Sequence, residues 1–279
     1  MSSIVWLASY PKSGNTWMRA FIQNYLENGK QASDINQLDR LFASENKPSW
    51  YQPYLNRPHM DLGSEDVCKL RPQVHLDIAN SKAGSILVKT HNFHGEYMGY
   101  PLHNMSVTAG VIYILRNPLD VVLSVADHFG LELDDAITFL NAEETGTPAD
   151  EANMGSVLSS WSNHVRSWTH AESDATCVIR FEDLKLDPLS TFENVLSFLN
   201  IPEDSARLEK AIQHSSFDKL RQQEQASGFT ERSPNSDRFF RHGTSGQWQT
   251  ELSEEQIASI VAVHAEQMER FDYLPDKLP

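Results

Sequence analysis

The sequence YPKSGNTW, residues 10–17, follows the apolar run IVWLAS (4–9) and leads into MRAFIQNYLENG (18–29). This order predicts a strand, a tight glycine-containing loop and then an amphipathic helix. Such a junction aims backbone N–H groups and the positive end of the helix dipole at one point, which favours a phosphate ligand. The phosphate-loop signature G-x-x-x-x-G-K-[ST] is absent, because the lysine precedes the glycine. The stretch therefore predicts a phosphate-binding loop of a different kind.

The residue types in this loop suit an anion. Lys12 carries a mobile positive charge, and Gly14 lets the backbone approach a ligand closely. Ser13, Asn15 and Thr16 offer hydroxyl and amide groups that can donate hydrogen bonds. Taken alone, the stretch has an alternative interpretation, which is an ordinary helix start capped by Asn15 or Thr16.

Three further apolar runs follow along the chain, SILVKT at 85–90, GVIYIL at 110–115 and TCVIRF at 176–181. They are near-continuous rather than alternating, as expected for parallel strands that helices cover on both faces. The segments that begin at Pro118 and Pro188 have helical periodicity and open with proline at a helix start. Alternating strands and helices predict an α/β fold with a central, mostly parallel sheet flanked by helices.

Three stretches interrupt this alternation. Residues 30–80 are rich in Asn, Pro, Asp and aromatic side chains, residues 130–155 are acidic, and residues 225–240 are polar and rich in turn residues. Long irregular segments within a compact domain are often lids or binding loops. We therefore predict a single domain over residues 1–279, with these three insertions covering the substrate.

The composition excludes several classes of protein. A formal net charge of −15 argues against broad nucleic-acid binding, which needs a basic face. No apolar run reaches the roughly 18 to 20 residues that cross a bilayer, and the N-terminus reads as a strand rather than a signal peptide. Cys68 and Cys177 have neither metal-site nor disulfide-framework spacing. We expect a soluble, cytoplasmic protein without a nucleic-acid or membrane partner.

The segment LVKTHNFH (87–94) ends the second predicted strand. Ligands in open α/β sheets bind outside the carboxyl ends of the strands, where the first loop also lies. Lys89 could neutralise an anion there, and His91 could act as a general base near neutral pH. A merely solvated loop histidine is the alternative, and His94 is a weaker candidate of the same kind.

Two more basic segments complete the candidate site. In YILRNPLDVVLS (113–124), Arg116 ends a strand and could bind a phosphate bidentately, while Ser124 lies two turns along the next helix. An ion pair between Arg116 and Asp120 is the alternative. In RFFRHGTSGQW (238–248), two glycines among basic residues predict a flexible loop that closes over an anion, with an exposed basic turn as the alternative.

These segments, in this order, resemble the cytosolic-type sulfotransferases, which use 3′-phosphoadenosine 5′-phosphosulfate (PAPS). YPKSGNTW resembles the family's 5′-phosphosulfate loop YPKSGTTW, and KTH at 89–91 matches the segment with its catalytic histidine. RNPLDVVLS (116–124) matches the 3′-phosphate motif, and RHGTSGQW (241–248) resembles the loop RKGxxGDW. Weaker matches lie at 161–168, 180–188 and 215–220, so the resemblance spans about residues 4–250.

The resemblance implies a P-loop NTPase-like fold and in-line transfer of a sulfuryl group, with adenosine 3′,5′-bisphosphate (PAP) released and no metal required. It implies that His91 is the general base and that Lys12 and Lys89 stabilise the developing charge. The remaining implied contacts all concern the cofactor: Ser13, Gly14, Asn15 and Thr16 at the 5′-phosphate; Arg116, Ser124, Arg241, His242 and Gly243 at the 3′-phosphate; Trp17, Phe181 and Phe217 around adenine. Simple core packing is the alternative for Trp17.

Asn15 stands where the family's 5′-phosphosulfate loop has a threonine, and the sequence departs from the family pattern at three further positions. Phe181 stands where a tyrosine is common, which puts a hydrogen bond near adenine in doubt. His242 replaces a lysine and weakens one charge at the 3′-phosphate, and Gln247 replaces an aspartate.

The rival enzyme class is a nucleotide kinase or NTPase on a related fold. That class needs the lysine after the glycine and a strand-end aspartate for Mg²⁺, and neither is evident. A protein that only senses the spent nucleotide would not need His91. For the acceptor we expect a hydroxyl group on a hydrophobic small molecule, with an amine as the second option, and for the assembly a monomer or a homodimer.

Overall fold

The computed structural model describes residues 2–170, 173–241 and 243–276. The strands are β1 (Ser3–Ser9), β2 (Phe42–Ser44), β3 (Ser85–Thr90), β4 (Glu96–Tyr97), β5 (Tyr100–Pro101), β6 (Thr108–Leu115), β7 (Gly146–Thr147), β8 (Ser156–Val157) and β9 (Thr176–Arg180). The helices are α1 (Asn15–Glu27), α2 (Pro48–Tyr51), α3 (Ser64–Asn80), α4 (Pro118–Phe129), α5 (Leu133–Asn141), α6 (Trp161–Thr169), α7 (Phe181–Leu186), α8 (Pro188–Phe198), α9 (Ser205–His214), α10 (Phe217–Ser227), α11 (Trp248–Glu251) and α12 (Glu254–Arg270). Within the described ranges, each helix falls short of the length and apolarity that a membrane span requires.

The central sheet has five strands in the order β2-β3-β1-β6-β9. Strand β3 pairs in parallel with β1, in the register Ala8 to Thr90, and with β2, in the register Ser44 to Lys89. The chain passes from β1 to strands on one side of it and later returns to β6 on the other. Strand β1 is therefore a topological switch point, the place where open α/β sheets bind their ligands. The predicted parallel sheet flanked by helices is confirmed.

The chain divides into two compact units, each made of segments that are distant in sequence. The sheet unit comprises Met1–Tyr10, Leu41–Tyr113 and Ala142–Val178, and it contains most of the sheet together with α2, α3 and α6. The helical unit comprises Pro11–Arg40, Ile114–Asn141 and Ile179–Pro279, and it contains the other nine helices of the described ranges. Each unit is described below by itself.

The core of the sheet unit forms around Trp6 of β1, which is fully buried. The indole N–H donates to Thr108 Oγ1 over 2.9 Å, so the one polar atom of the ring is satisfied. The edges of His75 and His103 contact the Trp6 ring, with centroid distances of 4.9 and 4.8 Å. A polar histidine pair is therefore built into the middle of this core.

The core of the helical unit contains an aromatic stack between α1 and α8. The rings of Phe21 and Phe192 lie 3.6 Å apart at an angle of 15°, and both side chains are fully buried. Tyr25, one turn further along α1, donates its hydroxyl to Pro202 O over 2.7 Å. This packing fixes α1, the helix that the predicted phosphate loop enters.

Two segments that we predicted to be irregular contain helices. Helix α3 occupies Ser64–Asn80 of the 30–80 segment, and α5 occupies Leu133–Asn141 of the 130–155 segment. In α3 the buried residues Val67, Val74 and Ile78 are separated by polar and acidic residues, which obscure the helical spacing. Pro72 also lies inside the helix. A proline normally breaks a helix interior, so the pattern misled the prediction.

Four predicted boundaries were wrong by one or two residues. Strands β1 and β6 begin at Ser3 and Thr108 rather than at residues 4 and 110. Helix α1 ends at Glu27 with Asn28 as the left-handed C-cap at φ 48°, rather than at Gly29. Asparagine adopts this conformation more easily than most residues, which explains the earlier end. Strand β9 ends at Arg180, so Phe181 is the first residue of α7 rather than the last of the strand.

Candidate active site

The β1–α1 loop, residues 10–14, has an unusual backbone. Lys12 has φ 67° and Gly14 has φ 109°, both in the left-handed region. Ser13 is fully buried, and its Oγ has no hydrogen-bond partner in the part of the chain that the structure describes. Helix α1 begins at Asn15 with Gly14 as N-cap and no side-chain cap, so an ordinary start capped by Asn15 or Thr16 is excluded.

Gly14 is required by its surroundings as well as by its φ angle. A Cβ atom at this position would lie 2.8 Å from Cδ2 of Phe181, closer than real Cβ atoms approach a neighbour. The Phe181 ring in turn meets the edge of the Trp17 ring at 5.6 Å. The buried Nε1 of Trp17 has no hydrogen-bond partner among the described residues. The loop thus rests on two aromatic rings that were both predicted to flank adenine.

Arg116, at the end of β6, connects three of the predicted binding segments. Its guanidinium donates to Lys12 O over 3.3 Å, to Ser124 Oγ over 3.2 Å and to Thr244 O over 3.1 Å. Its Cζ also lies 4.5 Å from the centre of the Phe181 ring. Burial lowers the pKa of Arg116, but a guanidinium keeps its charge because that pKa starts so high.

Asp120 has a role that the sequence did not suggest. We considered it as the ion-pair partner of Arg116, and it instead accepts the backbone N–H of Gly246 over 2.7 Å and of Trp248 over 3.3 Å. The carboxylate thereby anchors the glycine-rich loop that follows Arg241 through two hydrogen bonds. In the sequence, only the position of Asp120 in the first turn of α4 could have indicated this role.

A second carboxylate holds the loop of residues 229–241. Glu224 of α10 accepts the backbone N–H of Phe239 over 2.6 Å and that of Phe240 over 3.0 Å. The Phe239 ring then lies beneath the ammonium of Lys12, with Nζ 3.9 Å from the ring centre. This cation–π contact directly links the β1–α1 loop to the 229–241 loop.

The hydroxyl of Thr16 hydrogen-bonds to both members of a partly buried ion pair. It accepts a hydrogen bond from Arg19 Nη2 over 3.0 Å and donates to Glu231 Oε2 over 3.4 Å. The same Arg19 nitrogen lies 2.6 Å from Glu231 Oε2. The hydroxyl of Thr16 is therefore engaged in hydrogen bonds within the helical unit. The first helical hydrogen bond of α1 runs from Met18 N to Gly14 O.

Arg241 is held by acidic neighbours. It lies 3.0 Å from Asp127 Oδ1 and 3.9 Å from Glu251 Oε2, and Ser236 donates to the other oxygen of Asp127 over 2.6 Å. Partial burial raises the pKa of Asp127, but the hydrogen bonds from Ser236 and Arg241 outweigh it, and the net shift is downward. The next residue, His242, lies outside the described residues.

Lys185 of α7 is a binding candidate that the sequence reasoning missed. Its ammonium donates to Gly243 O and lies 5.8 Å from the Trp17 ring centre and 6.0 Å from that of Phe217. Burial lowers its pKa. Gly243 has φ 63°, and an added Cβ would clash with the Phe217 ring. Lys185 belongs to the segment 180–188, RFEDLKLDP, one of the weaker matches to the family.

His91 belongs to the sheet unit and follows β3. Its Nδ1 lies 2.8 Å from the carbonyl oxygen of Ser9, which can only accept, so Nδ1 carries the proton in the neutral ring. The lone pair is then on Nε2, the atom that a general base uses. Lys89 lies two residues earlier in β3, in register with Leu7 of β1 and Ser44 of β2.

A second histidine fixes the backbone of His91. His164 Nε2 donates to the carbonyl oxygen of His91 over 3.1 Å, and Tyr113 donates its hydroxyl to His164 Nδ1 over 2.8 Å. Burial lowers the pKa of His164 to about 3, so this ring stays neutral near pH 7. His94, the weaker candidate, stacks near Trp168 at 4.9 Å, and burial lowers its pKa.

The predicted site residues therefore fall into two groups. Lys89 and His91 lie in the sheet unit. The helical unit brings together the described residues that were predicted to bind the nucleotide: Lys12, Ser13, Gly14, Asn15, Thr16, Trp17, Arg116, Ser124, Phe181, Phe217, Arg241 and Gly243.

The sequence matches the model of the sulfotransferase domain over residues 2–272. It is 24% identical to Sulfotransferase 2A2 of Mus musculus over 279 residues, which covers 95% of this chain and 84% of that protein. It is 23% identical to Cytosolic sulfotransferase 10 of Arabidopsis thaliana, with 94% and 77% of the two chains covered.

Solved structures show the same fold. Mouse sulfotransferase SULT7A1 in complex with PAP superposes with a TM-score of 0.64 at 20% identity, over 98% of this chain and 86% of that one. A retinol dehydratase in complex with retinol and PAP also has a TM-score of 0.64, at 17% identity, over 96% and 82% of the two chains.

The buried His164 makes stability depend on pH. Since its pKa in the folded protein is about 3, below the ordinary value of 6.5, the unfolded chain takes up a proton that the folded protein does not. Stability contributed by the neutral ring is therefore lost as pH falls below about 6.5, by about 2 kcal/mol between pH 7 and pH 5. We expect His164→Gln to reduce the pH dependence of the free energy of unfolding by about this amount, measured by urea denaturation at both pH values.

The Tyr113→Phe variant is the control for this measurement. It removes the hydroxyl partner but leaves the histidine buried, so it should lower stability at both pH values and keep the difference between them. An unchanged pH dependence in His164→Gln would show that the ring is not kept neutral by the fold.

Proposed function

Because the chain belongs to the sulfotransferase domain family, we propose that it transfers a sulfuryl group from PAPS to a hydroxyl group of a small-molecule acceptor and releases PAP. The relatives named above that were solved with PAP support the choice of nucleotide. The rest of the proposal concerns which residues of this chain perform each part of the reaction.

The observation that carries the proposal is the position of Arg116. Its guanidinium hydrogen-bonds to the β1–α1 loop at Lys12, to α4 at Ser124 and to the glycine-rich loop at Thr244. These are the three segments for which the sequence predicted phosphate contacts. A buried cation with hydrogen bonds to all three is suited to bind the 3′-phosphate, the group that separates PAPS from ATP-like nucleotides.

Buried polar atoms in the helical unit support the fit of a nucleotide. Ser13 Oγ, Trp17 Nε1 and Arg116 Nε are all buried without a hydrogen-bond partner among the described residues. Buried polar atoms are normally paired, so an unpaired group points to a ligand atom or to an ordered water. Phosphate oxygens could accept hydrogen bonds from Ser13 Oγ and Arg116 Nε, and both residue types are suited to binding an anion.

When bound, PAPS supplies a sulfuryl group attached to a phosphate that leaves as PAP. Lys12 and Lys89 would stabilise the negative charge that grows on the transferring oxygens and on the leaving phosphate. Ser13 donates its hydroxyl to the 5′-phosphate, and the first-turn N–H groups of α1 add the positive end of the helix dipole. Trp17, Phe181 and Phe217 pack around adenine, with Lys185 beside them.

His91 removes the proton of the acceptor hydroxyl at Nε2. An alcohol proton is held too tightly to leave unaided at neutral pH, and imidazole, with an ordinary pKa of about 6.5, is matched to this step. The hydrogen bond from Nδ1 to Ser9 O holds the tautomer that the reaction needs. As the ring becomes positively charged, the same carbonyl oxygen stabilises it.

For the acceptor we propose a hydroxyl on a hydrophobic molecule. The structures of retinol dehydratase were solved with retinol and with androsterone, which are molecules of this kind. Phe42 and Tyr51, two aromatic residues of the 30–80 segment, are core residues of the sheet unit at 1% and 0% exposure. We propose a cytoplasmic location, as for the plant relative that is named cytosolic.

The experiment that tests the reaction compares two donors. Purified protein is incubated with labelled PAPS or with ATP and Mg²⁺, each with a panel of alcohols, phenols and amines. We expect transfer from PAPS and none from ATP. Transfer of phosphate from ATP, or no PAP released with any acceptor, would contradict the proposal and favour the kinase or the nucleotide-sensing alternative.

Replacement of His91 tests the general base. We expect His91→Ala to lower kcat by at least about 100-fold, because a positioned base contributes about 10² to 10⁴-fold to proton transfer. PAP affinity, measured by calorimetry, should change by less than about twofold, since a base contributes to proton transfer rather than to nucleotide binding. His170→Ala, at an exposed histidine of α6's C-terminal end, should keep wild-type kcat. Near-normal turnover in His91→Ala would remove this residue from the mechanism.

Replacement of Arg116 tests recognition of the 3′-phosphate. Removing a buried charged partner costs about 2 to 5 kcal/mol, so we expect Arg116→Ala to weaken PAP binding at least about 30-fold. Binding of 5′-AMP, which lacks the 3′-phosphate, should fall much less. Arg116→Lys should resemble the alanine variant, because one ammonium cannot replace the planar fork of donors.

The exposed Arg57, which pairs with Asp66, supplies the control variant Arg57→Ala. It should bind both nucleotides like the wild type. Equal losses of PAP and 5′-AMP affinity in Arg116→Ala would mean that Arg116 supports the loops without contacting the 3′-phosphate.

A further inference from the structure

A cluster of buried polar side chains lies in the sheet unit, and the proposed reaction uses none of them. Glu45, Arg71, His75 and His103 are each at most 2% exposed. Glu45 directly follows β2, Arg71 and His75 lie one turn apart on α3, and His103 follows β5. The fold brings a carboxylate, a guanidinium and two imidazoles together in one apolar core.

The carboxylate of Glu45 has a hydrogen-bond donor on every side. Its Oε2 accepts from His75 Nε2 over 2.8 Å and from Arg71 Nη1 over 3.1 Å. Its Oε1 accepts from Asn92 Nδ2 over 2.7 Å and from the Thr90 hydroxyl. Four donors satisfy the carboxylate, and two of them belong to the residues on either side of His91.

The backbone around His91 is held from several further directions. Asn92 N donates to Thr90 Oγ1 over 3.1 Å, which closes a tight turn with His91 at its centre. Asn92 Oδ1 accepts Val157 N over 2.8 Å, and Asn92 O accepts Trp168 Nε1 over 3.1 Å. The side chains of Thr90 and Asn92 are 1% and 0% exposed. The turn is therefore anchored by buried bonds that solvent does not weaken.

The charges of the cluster are fixed in a definite way. Burial raises the pKa of Glu45, but the charge of Arg71 and the hydrogen bond from His75 outweigh it, so the carboxylate stays ionised. Asn104 N donates to His75 Nδ1 over 3.2 Å, which leaves the proton on Nε2, facing Glu45. Burial lowers the pKa of His103, so that ring is neutral. The cluster is one ion pair with two neutral imidazoles.

Stability does not account for such a cluster. Apolar side chains of similar volume often stabilise a core as well as, or better than, a buried ion pair, because desolvating two charges costs more than their attraction returns. The hydrogen bonds of a buried carboxylate are directional, so a carboxylate with four donors fixes the positions of those donors relative to one another. In this cluster, two of the four donors are Thr90 and Asn92.

We propose that Glu45 is a positioning residue for His91, holding the turn of residues 90–92 so that Nε2 of His91 meets the acceptor hydroxyl in a fixed geometry. Arg71 and His75 keep the carboxylate ionised and oriented. The inference rests on the proposed function, because it takes His91 to be the general base. Glu45 acts through Thr90 and Asn92 and does not touch the substrate.

The test uses Glu45→Gln, which keeps the shape and removes the charge. A displacement of about 1 Å in a reacting group can cost about 100-fold, so we expect kcat to fall between about 10- and 100-fold. The KM for PAPS and the affinity for PAP should change less than about twofold. Each kcat is divided by the number of PAP-binding sites from calorimetry, so unfolded protein does not count. The exposed Glu143→Gln is the matched control and should keep wild-type kcat.

A second pair of variants applies if Glu45→Gln fails to fold. Thr90→Val removes the hydroxyl that donates to Glu45, and Thr90→Ser restores it with one methyl group fewer. We expect Thr90→Val to lower kcat at least about 10-fold at constant PAP affinity, and Thr90→Ser to recover most of it. A merely structural role would instead change thermal stability in both variants and leave kcat per binding site unchanged.

His91→Ala in the same assay separates the inference from the proposed function. If His91→Ala is inactive while Glu45→Gln and Thr90→Val turn over like the wild type, the positioning role is wrong and the base assignment stands. A loss of kcat in Thr90→Ser as large as that in Thr90→Val also overturns the positioning role. If His91→Ala is active, the base assignment fails, and the positioning role fails with it.

Discussion

The hydrogen bonds of the Arg116 guanidinium connect three segments of the helical unit. A single planar cation reaches a carbonyl in the β1–α1 loop, a hydroxyl on α4 and a carbonyl in the glycine-rich loop. Its face also covers the Phe181 ring, over which Gly14 passes. Because Arg116 is buried, each of these bonds is stronger than it would be at the surface. One buried side chain thus contacts three segments that are more than a hundred residues apart in the sequence.

Several carboxylates of this acidic protein form hydrogen bonds to groups of the chain itself. Asp120, Glu224 and Glu45 each use both oxygens to bind groups of the chain, and in the first two cases those groups are the backbone N–H groups of loops. These carboxylates are thus occupied by hydrogen bonds to donors of the chain itself. A net charge of −15 is therefore compatible with a strongly anion-binding site.

The sequence predicted the parts of the fold that are local. Four of the five sheet strands and the loop and helix that follow β1 were recognisable, because continuous apolar runs and glycine positions reflect short-range constraints. Helix α3 was not recognisable, since Pro72 and its polar neighbours imitate a loop. Glu45 could not have been found either, because its four partners lie 26 to 47 residues away. Lys185 was hidden for the same reason, since its contacts are tertiary.

The buried hydroxyl of Ser13, which has no hydrogen-bond partner among the described residues, has a consequence for the stability of the folded protein. A buried polar atom without a partner costs about 1 to 3 kcal/mol, which is a large share of the stability of an ordinary domain. A ligand that binds only the folded chain and satisfies this atom shifts the folding equilibrium by mass action. In the proposed function that ligand is the sulfuryl-donor nucleotide, so the folded fraction of the chain would rise with the concentration of its own substrate.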